Sequence, residues 1–317
     1  MEDERTHWLP IMGLVLAMLI WGSSFIALKL AFRSFDPMVV IFGRMFLGSL
    51  CLIFFYRRFR GILYRKGDLG LILLMAFCEP CLYFLFEAFA VVNTTASQAG
   101  MITAILPLLV AVSARVFLKE HISRRTLTGF LVAIAGTVWL SAGAEASTHA
   151  PRPALGNFLE FTAMVCATGY VTLLKKLSER YTPLFLTAAQ AFVGTLFYLP
   201  ILFLPTTTLP ARFDPGGLLA IAWLGTFVTC GAYGLYNYGL SRIPASQASA
   251  FVNLIPVFAV VLGWLILDET FTLPQYLASI LVFLGVFLSH DRRRRPAASE
   301  MIPGPGRPVV ETKGTGE

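Results

Sequence analysis

Residues 96–120 read ASQAGMITAILPLLVAVSARVFLKE, and residues 245–269 read ASQASAFVNLIPVFAVVLGWLILDE. An offset of 149 carries Ala96-Ser97-Gln98-Ala99 onto Ala245-Ser246-Gln247-Ala248. It also carries Pro107 onto Pro256, Leu118 onto Leu267 and Glu120 onto Glu269, without a gap. One segment earlier, an offset of 150 pairs Tyr83 with Tyr233, Leu85 with Leu235 and Glu87 with Asn237. Near the start of each half, an offset of 146 pairs Pro37 with Pro183, Phe46 with Phe192 and Gly48 with Gly194. An ordered series of this kind is an internal repeat.

The repeat lies in a chain of 317 residues that is 56% hydrophobic and only 14% charged, with mean hydropathy +0.72. Soluble chains carry about 25% charged residues, which excludes a soluble enzyme, a nucleic-acid reader or a disulfide scaffold. A bilayer-crossing helix needs about 20 apolar residues. The chain tiles into ten such stretches, at 9–31, 37–56, 69–90, 95–117, 126–142, 155–174, 183–204, 216–240, 244–267 and 272–289. The expected organisation is a cytoplasmic N-terminus (1–8), a five-helix repeat (9–142), an external loop (143–154), a second five-helix repeat (155–290) and a basic, disordered tail (291–317). The acidic start, Met1 to Glu4, and the length of the first apolar run do not fit a signal peptide. Ten helices in two halves of five make an all-α integral membrane protein. Five is odd, so the halves enter the membrane in opposite directions, an architecture of secondary transporters.

Orientation follows the placement of Lys and Arg. With the N-terminus inside, nineteen of the 25 basic residues fall on the cytoplasmic side. Only Arg33, Arg152 and Arg212 fall outside, and Lys29, Arg44 and Arg115 lie within spans. Both termini are therefore expected in the cytoplasm. Lys29 and Arg115 are close enough to span ends to snorkel. The four His sit at segment ends or in loops, so no metal set is expected. Cys78-Glu79-Pro80-Cys81 lacks the soluble βαβ setting that gives CxxC its redox meaning. No GxxxxGK[ST] loop is present, and neither a catalytic residue nor a cofactor is expected.

Trp21-Gly22-Ser23-Ser24-Phe25, Pro37 with Arg44-Met45-Phe46, and the doubled Ala-Ser…Pro…Glu signature resemble the drug/metabolite transporter superfamily, in particular ten-helix proteins with two EamA-type domains. The resemblance covers residues 9–290. It implies an inner-membrane secondary carrier, often an exporter of amino acids or other small metabolites. The second half departs from the pattern: Gln190 stands where Arg44 maps, and no Trp-Gly pair opens the sixth span.

Charge within a bilayer costs about 2.5–3.5 kcal/mol per group on the insertion scale, so each such residue needs a reason. Arg44, two turns inside the second span, needs a carboxylate, and Glu79 and Glu87 are the candidates nearest in sequence. Glu79, Tyr83 and Glu87 fall at i, i+4 and i+8, one polar stripe on one helix face. Arg44 holds one of these glutamates in a structural network, or one of them binds the solute or a coupling proton. The matching stripe, Thr229, Tyr233 and Asn237 with Tyr236 beside it, carries no charge. Trp21, Tyr83, Tyr170, Tyr233 and Tyr236 are the aromatic residues that suit a cavity wall. Glu160 is expected to be hydrated through the outer mouth or to pair with Arg44. Pro107 and Pro256 interrupt the fourth and ninth spans and free the carbonyls of Thr103 and Val252, which suits a hinge. Ser97-Gln98 and Ser246-Gln247 begin these spans on opposite faces, as paired gates or as helix caps. Glu120 and Glu269 are expected to cap the following helix or meet neighbouring loops.

The expected function is export of a small amphipathic solute, with the proton as a coupling ion, membrane lipid around the protein and no nucleic acid. Two fused repeats suit a monomer or a homodimer. A multidrug, anion or sugar-type carrier, or a non-transporting receptor or assembly factor, is the alternative.

Overall fold

The computed structural model describes residues 2–55, 57, 59, 65–118, 124–148, 150–243 and 245–289. Among them the secondary structure is helical, apart from one isolated bridge between Ser147 and Ala150. The first half holds α1 (Glu2–Phe32), α2 (Pro37–Ile53), α3 (Asp68–Ala76), α4 (Tyr83–Asn93), α5 (Ala96–Ile102), α6 (Leu106–Leu118) and α7 (Arg124–Ala142). The second holds α8 (Pro153–Leu177), α9 (Pro183–Tyr198), α10 (Pro215–Trp223), α11 (Tyr233–Arg242), α12 (Ala245–Ala250), α13 (Ile255–Leu267) and α14 (Leu273–Ser289).

Seven stretches among the described residues are long and apolar enough to cross a membrane. Three shorter apolar helices, Pro37–Ile53, Leu127–Ala142 and Leu273–Gly285, supply the remaining expected spans. Pro37, Pro153, Pro183 and Pro215 open their helices, where the missing N–H is not needed and φ is already set. Asp36, Thr182 and Asp214 cap the helices that follow them.

The two halves break their helices at matching places. The third span opens into a wide turn at Phe77–Leu82, and the eighth does so at Leu224–Ala232. The fourth span tightens to a 3-10 turn at Thr103–Ile105, and the ninth at Phe251–Leu254. Pro107 and Pro256 therefore lie in the first turn of the restarted helices α6 and α13. The carbonyls they were expected to free are taken by the 3-10 turns: Leu106 N–H donates to Thr103, and Ile255 N–H to Val252. Local tightening of this kind is how membrane helices absorb proline.

Packing repeats as well. α1 packs on α11 and α13, and its counterpart α8 packs on α4 and α6. α2 meets α9, α5 meets α13, and α7 meets α14. At the last pair a Cβ on Gly136 would fall 2.8 Å from the Val282 backbone nitrogen, and one on Gly285 would collide with Ala133. Small residues let these backbones touch, which drives helix association where lipid offers no hydrophobic gain. Outward-facing Leu, Val and Phe such as Leu131, Phe227, Leu265 and Phe287 remain exposed, as a lipid-facing surface requires.

Candidate functional site

The third span decides the site. It was expected to carry Glu79, Tyr83 and Glu87 along one continuous helix face, and it does not. Glu79 adopts extended backbone (φ −150°, ψ 118°) inside the wide turn. The carbonyls this break releases are met from the seventh span. Gln190 Nε2 donates to Glu79 O at 3.1 Å, and the Tyr198 hydroxyl donates to Cys81 O at 2.5 Å. Gln190 thus supports one broken span, while Arg44, its counterpart, supports the other: Arg44 Nε donates to Thr229 Oγ1 at 3.2 Å. The departure from strict repetition has a local reason, because each residue answers the chemistry of the break opposite it.

Trp21, Arg44, Glu79, Tyr83, Glu87, Tyr170, Tyr233 and Tyr236 all line one central cavity. Its free space is about 40 Å³, enough for a few water molecules. Arg44 Nη1 faces Glu87 Oε2 at 3.5 Å and the guanidinium lies 3.8 Å from the Phe84 ring centre. The Tyr83 hydroxyl donates to Glu87 Oε1 at 3.0 Å. Tyr233, the counterpart of Tyr83, donates its hydroxyl to Glu79 Oε1 across the repeat boundary. Of the two candidate partners for Arg44, the geometry selects Glu87 and leaves Glu79 to Tyr233.

Trp21 packs its ring 5.0 Å from Tyr233 and 4.8 Å from Tyr236. Trp21 Nε1 and the Tyr236 hydroxyl are buried and find no partner among the described residues. Asn237 stands behind this wall. Its amide donates to Thr187 and Gln190, and its oxygen accepts from Tyr170 at 2.5 Å.

The residues expected as gates separate into two groups. Thr95, not Ser97, caps α5, accepting from Gln98 N–H at 3.1 Å. Ser97 donates its hydroxyl to Glu269 Oε2 at 2.6 Å, and Glu269 also accepts the backbone N–H groups of Ala96 and Ser97 at 2.9 and 2.8 Å. Glu269 was expected to cap the helix after it or to meet neighbouring loops; it caps the start of a span in the other half. Gln98 Oε1 accepts from Asn157 at 3.0 Å and from Thr94 at 3.2 Å. The side chains of Ser246 and Gln247, and the whole of Glu120, lie outside the described residues.

Glu160 departs most from expectation. It does not open to the outer mouth and is not the partner of Arg44, which faces Glu87. It is fully buried on α8, and neither carboxyl oxygen has a partner among the described residues. Sequence reasoning undervalued Glu160, Asn157 and Thr94; the available signal was a Glu and an Asn three residues apart on one span.

Above the cavity lies a wider vestibule of about 420 Å³, lined by Lys29, Arg33, Gln98, Glu145, Asp268 and Glu269 among others. On the opposite face Arg180 Nη1 reaches both oxygens of Asp68, at 2.9 and 3.1 Å, and Tyr181 donates to the same carboxylate at 3.1 Å.

The family model described as the EamA-like transporter family matches residues 8–142 and again 154–290. The uncharacterized transporter YetK of Bacillus subtilis is 28% identical over 90% of this chain and 88% of its own length. A protein of Streptantibioticus cattleyicolor named as a probable terminal-alkyne amino-acid exporter is 26% identical, over 94% of this chain and 99% of its own. One crystal structure superposes with a TM-score of 0.65 at 17% identity, covering 88% of this chain and 96% of the other, a likeness of fold.

Proposed function

The chain belongs to the EamA-like transporter family, and on that premise we propose that it is a secondary carrier exporting a small amphipathic solute of the amino-acid class. The observation that carries the substrate class is the pairing of opposite demands in one cavity. Trp21 Nε1 and the Tyr236 hydroxyl are donors without partners, suited to a carboxylate. Glu79, held by Tyr233, offers a carboxyl to an ammonium group. The rings of Trp21, Tyr83 and Tyr233 provide apolar surface and favourable faces for a cation. The relative from Streptantibioticus cattleyicolor supports the same class through its name.

Transport proceeds by alternating access. The helices around the cavity, drawn from both repeats, rock or bend to open it to either side. The 3-10 turns beside Pro107 and Pro256 are the hinges, and Ser97-Gln98 and Ser246-Gln247 are the gates. The protein sits in the cell inner membrane with both ends cytoplasmic, on the strength of nineteen basic residues against three. The vestibule beside Glu269 then faces outward and the Asp68–Arg180 pair inward. Opening the contacts at one face enlarges the central cavity toward that side.

The test is uptake and efflux of an amino-acid panel in proteoliposomes, with and without a pH gradient. Wild type is compared with Glu79→Gln and Glu87→Gln. Flux of one solute class that weakens in Glu79→Gln is expected. Absence of flux for every amino acid overturns the reading.

A further inference from the structure

Glu160 sits where the carrier needs a reason for it. An ionised carboxylate in an apolar interior without a counter-ion is so costly that the group neutralises instead. Both oxygens of Glu160 are buried and unpartnered, so the group is held there as a neutral acid. Its place is fixed by close backbone packing: a Cβ on Gly156, one turn earlier, would lie 2.7 Å from Thr94 N and 2.8 Å from Ala90 O. This approach draws α8 onto α4 running the opposite way, so that one turn on from Gly156 Glu160 comes level with Glu87, about one turn before Ala90.

The surroundings are specific. On α4, the helix packed most closely on α8, Glu87 holds the Tyr83 hydroxyl on one oxygen and faces Arg44 of α2 with the other. The other helices packed on α8 bring no further ion pair to it among the described residues; Arg115 on α6 and Arg124 on α7 belong to the far ends of their helices. Three residues before Glu160, on the same side of α8, Asn157 donates to Gln98, and Gln98 lines the vestibule. Glu87 lines the central cavity. Glu160 therefore lies between the two spaces, with an amide bridge on one side and a paired carboxylate on the other.

We propose that Glu160 is a proton-binding site of the carrier, sharing a single negative charge with Glu87 opposite Arg44 and exchanging its proton with the vestibule when the Asn157–Gln98 bridge parts. This rests on the carrier reading above. On release, the Glu160 O–H bond breaks and a vestibule water takes the proton as hydronium. The second negative charge left beside Glu87 is then offset by a cationic group of the solute in the cavity. Proton and cationic solute thus exclude one another, which makes their exchange obligatory.

The test is infrared difference spectroscopy on the reconstituted full chain, between acid and alkaline pH and without solute. A protonated-carboxyl C=O band should vanish on alkalinisation, be absent in Glu160→Gln and persist in Glu269→Gln. Glu160→Asp keeps an acid at the site and should shift the band, which decides the matter if the glutamine variant does not reconstitute. An unchanged band in Glu160→Gln or Glu160→Asp overturns the proposal. In the transport arm, Glu160→Gln should lose pH-gradient-driven amino-acid flux while retaining solute-for-solute exchange. A wild type that moves no amino acid overturns the carrier reading alone, and the band still decides Glu160.

Discussion

Glu269, from the end of the ninth span, holds Ser97 at the start of the fourth by a 2.6 Å hydrogen bond and accepts two backbone N–H groups of the same turn. The acid that closes the signature in one half thus binds the Ala-Ser that opens it in the other. An anion at a helix N-terminus also complements the helix dipole. The arrangement latches the two repeats together beside the vestibule.

Weakening this latch should open that face. A hydrogen bond to a charged group contributes about 1.5–3 kcal/mol, so Glu269→Gln should shift the opening equilibrium roughly tenfold to a hundredfold, at about 1.4 kcal/mol per decade. In a background free of the native cysteines, Thr103→Cys reports on the central cavity. Its labelling by a water-soluble maleimide should accelerate when Glu269→Gln or Ser97→Ala is added. Equal rates in all three proteins would mean that the latch does not gate the cavity.

Arg44 and Glu87 form a buried pair whose members depend on each other. Removing one partner leaves an uncompensated buried charge, at a cost of about 3–5 kcal/mol. Arg44→Ala should therefore lower the thermal midpoint strongly in detergent micelles. The double variant Arg44→Gln with Glu87→Gln, which buries no charge, should recover most of the loss. A double variant as unstable as Arg44→Ala would assign the effect to lost packing against Phe84 instead.

Tyr233 and Glu79 meet across the repeat boundary. Tyr233→Phe leaves the ring in place and removes only the donor. Losing one buried hydrogen bond, about 0.5–1.5 kcal/mol net, should weaken solute binding by about twofold to tenfold. Isothermal titration with the solute that the flux panel identifies measures it. Tyr83→Phe acts on Glu87 instead and should leave that affinity nearer to wild type.

Pro107 and Pro256 keep the fourth and ninth spans from running as continuous α-helix. Alanine restores an N–H that competes for the Thr103 or Val252 carbonyl and straightens the helix. Each substitution should raise thermal stability by about 1 kcal/mol, the net value of one hydrogen bond, while slowing amino-acid exchange in proteoliposomes. Faster exchange with higher stability would remove the hinge role.

The ten helices were legible because apolar length is a local property, and the 149-residue repeat was legible because it is written in the order of residues. Trp21, Arg44, Tyr83 and Tyr233 were legible as cavity residues for a related reason: polar or aromatic groups among small residues have no place against lipid. The partner of Arg44 was not. Glu79 and Glu87 are equivalent on an ideal helix, and only the extended backbone at Glu79 separates them. Asn237 was expected on the wall, and Tyr170 stands in front of it.

The sequence by itself determined a membrane protein of two repeats, because hydropathy and period survive without any knowledge of contacts. Tertiary structure alone decided which charges meet. Glu269 reaches a helix 172 residues away in the chain, Arg44 reaches Thr229 across 185, and Glu160 meets no partner among the described residues. Side-chain pairing within a bilayer depends on distances of a few ångströms between spans, and no spacing along one span encodes them.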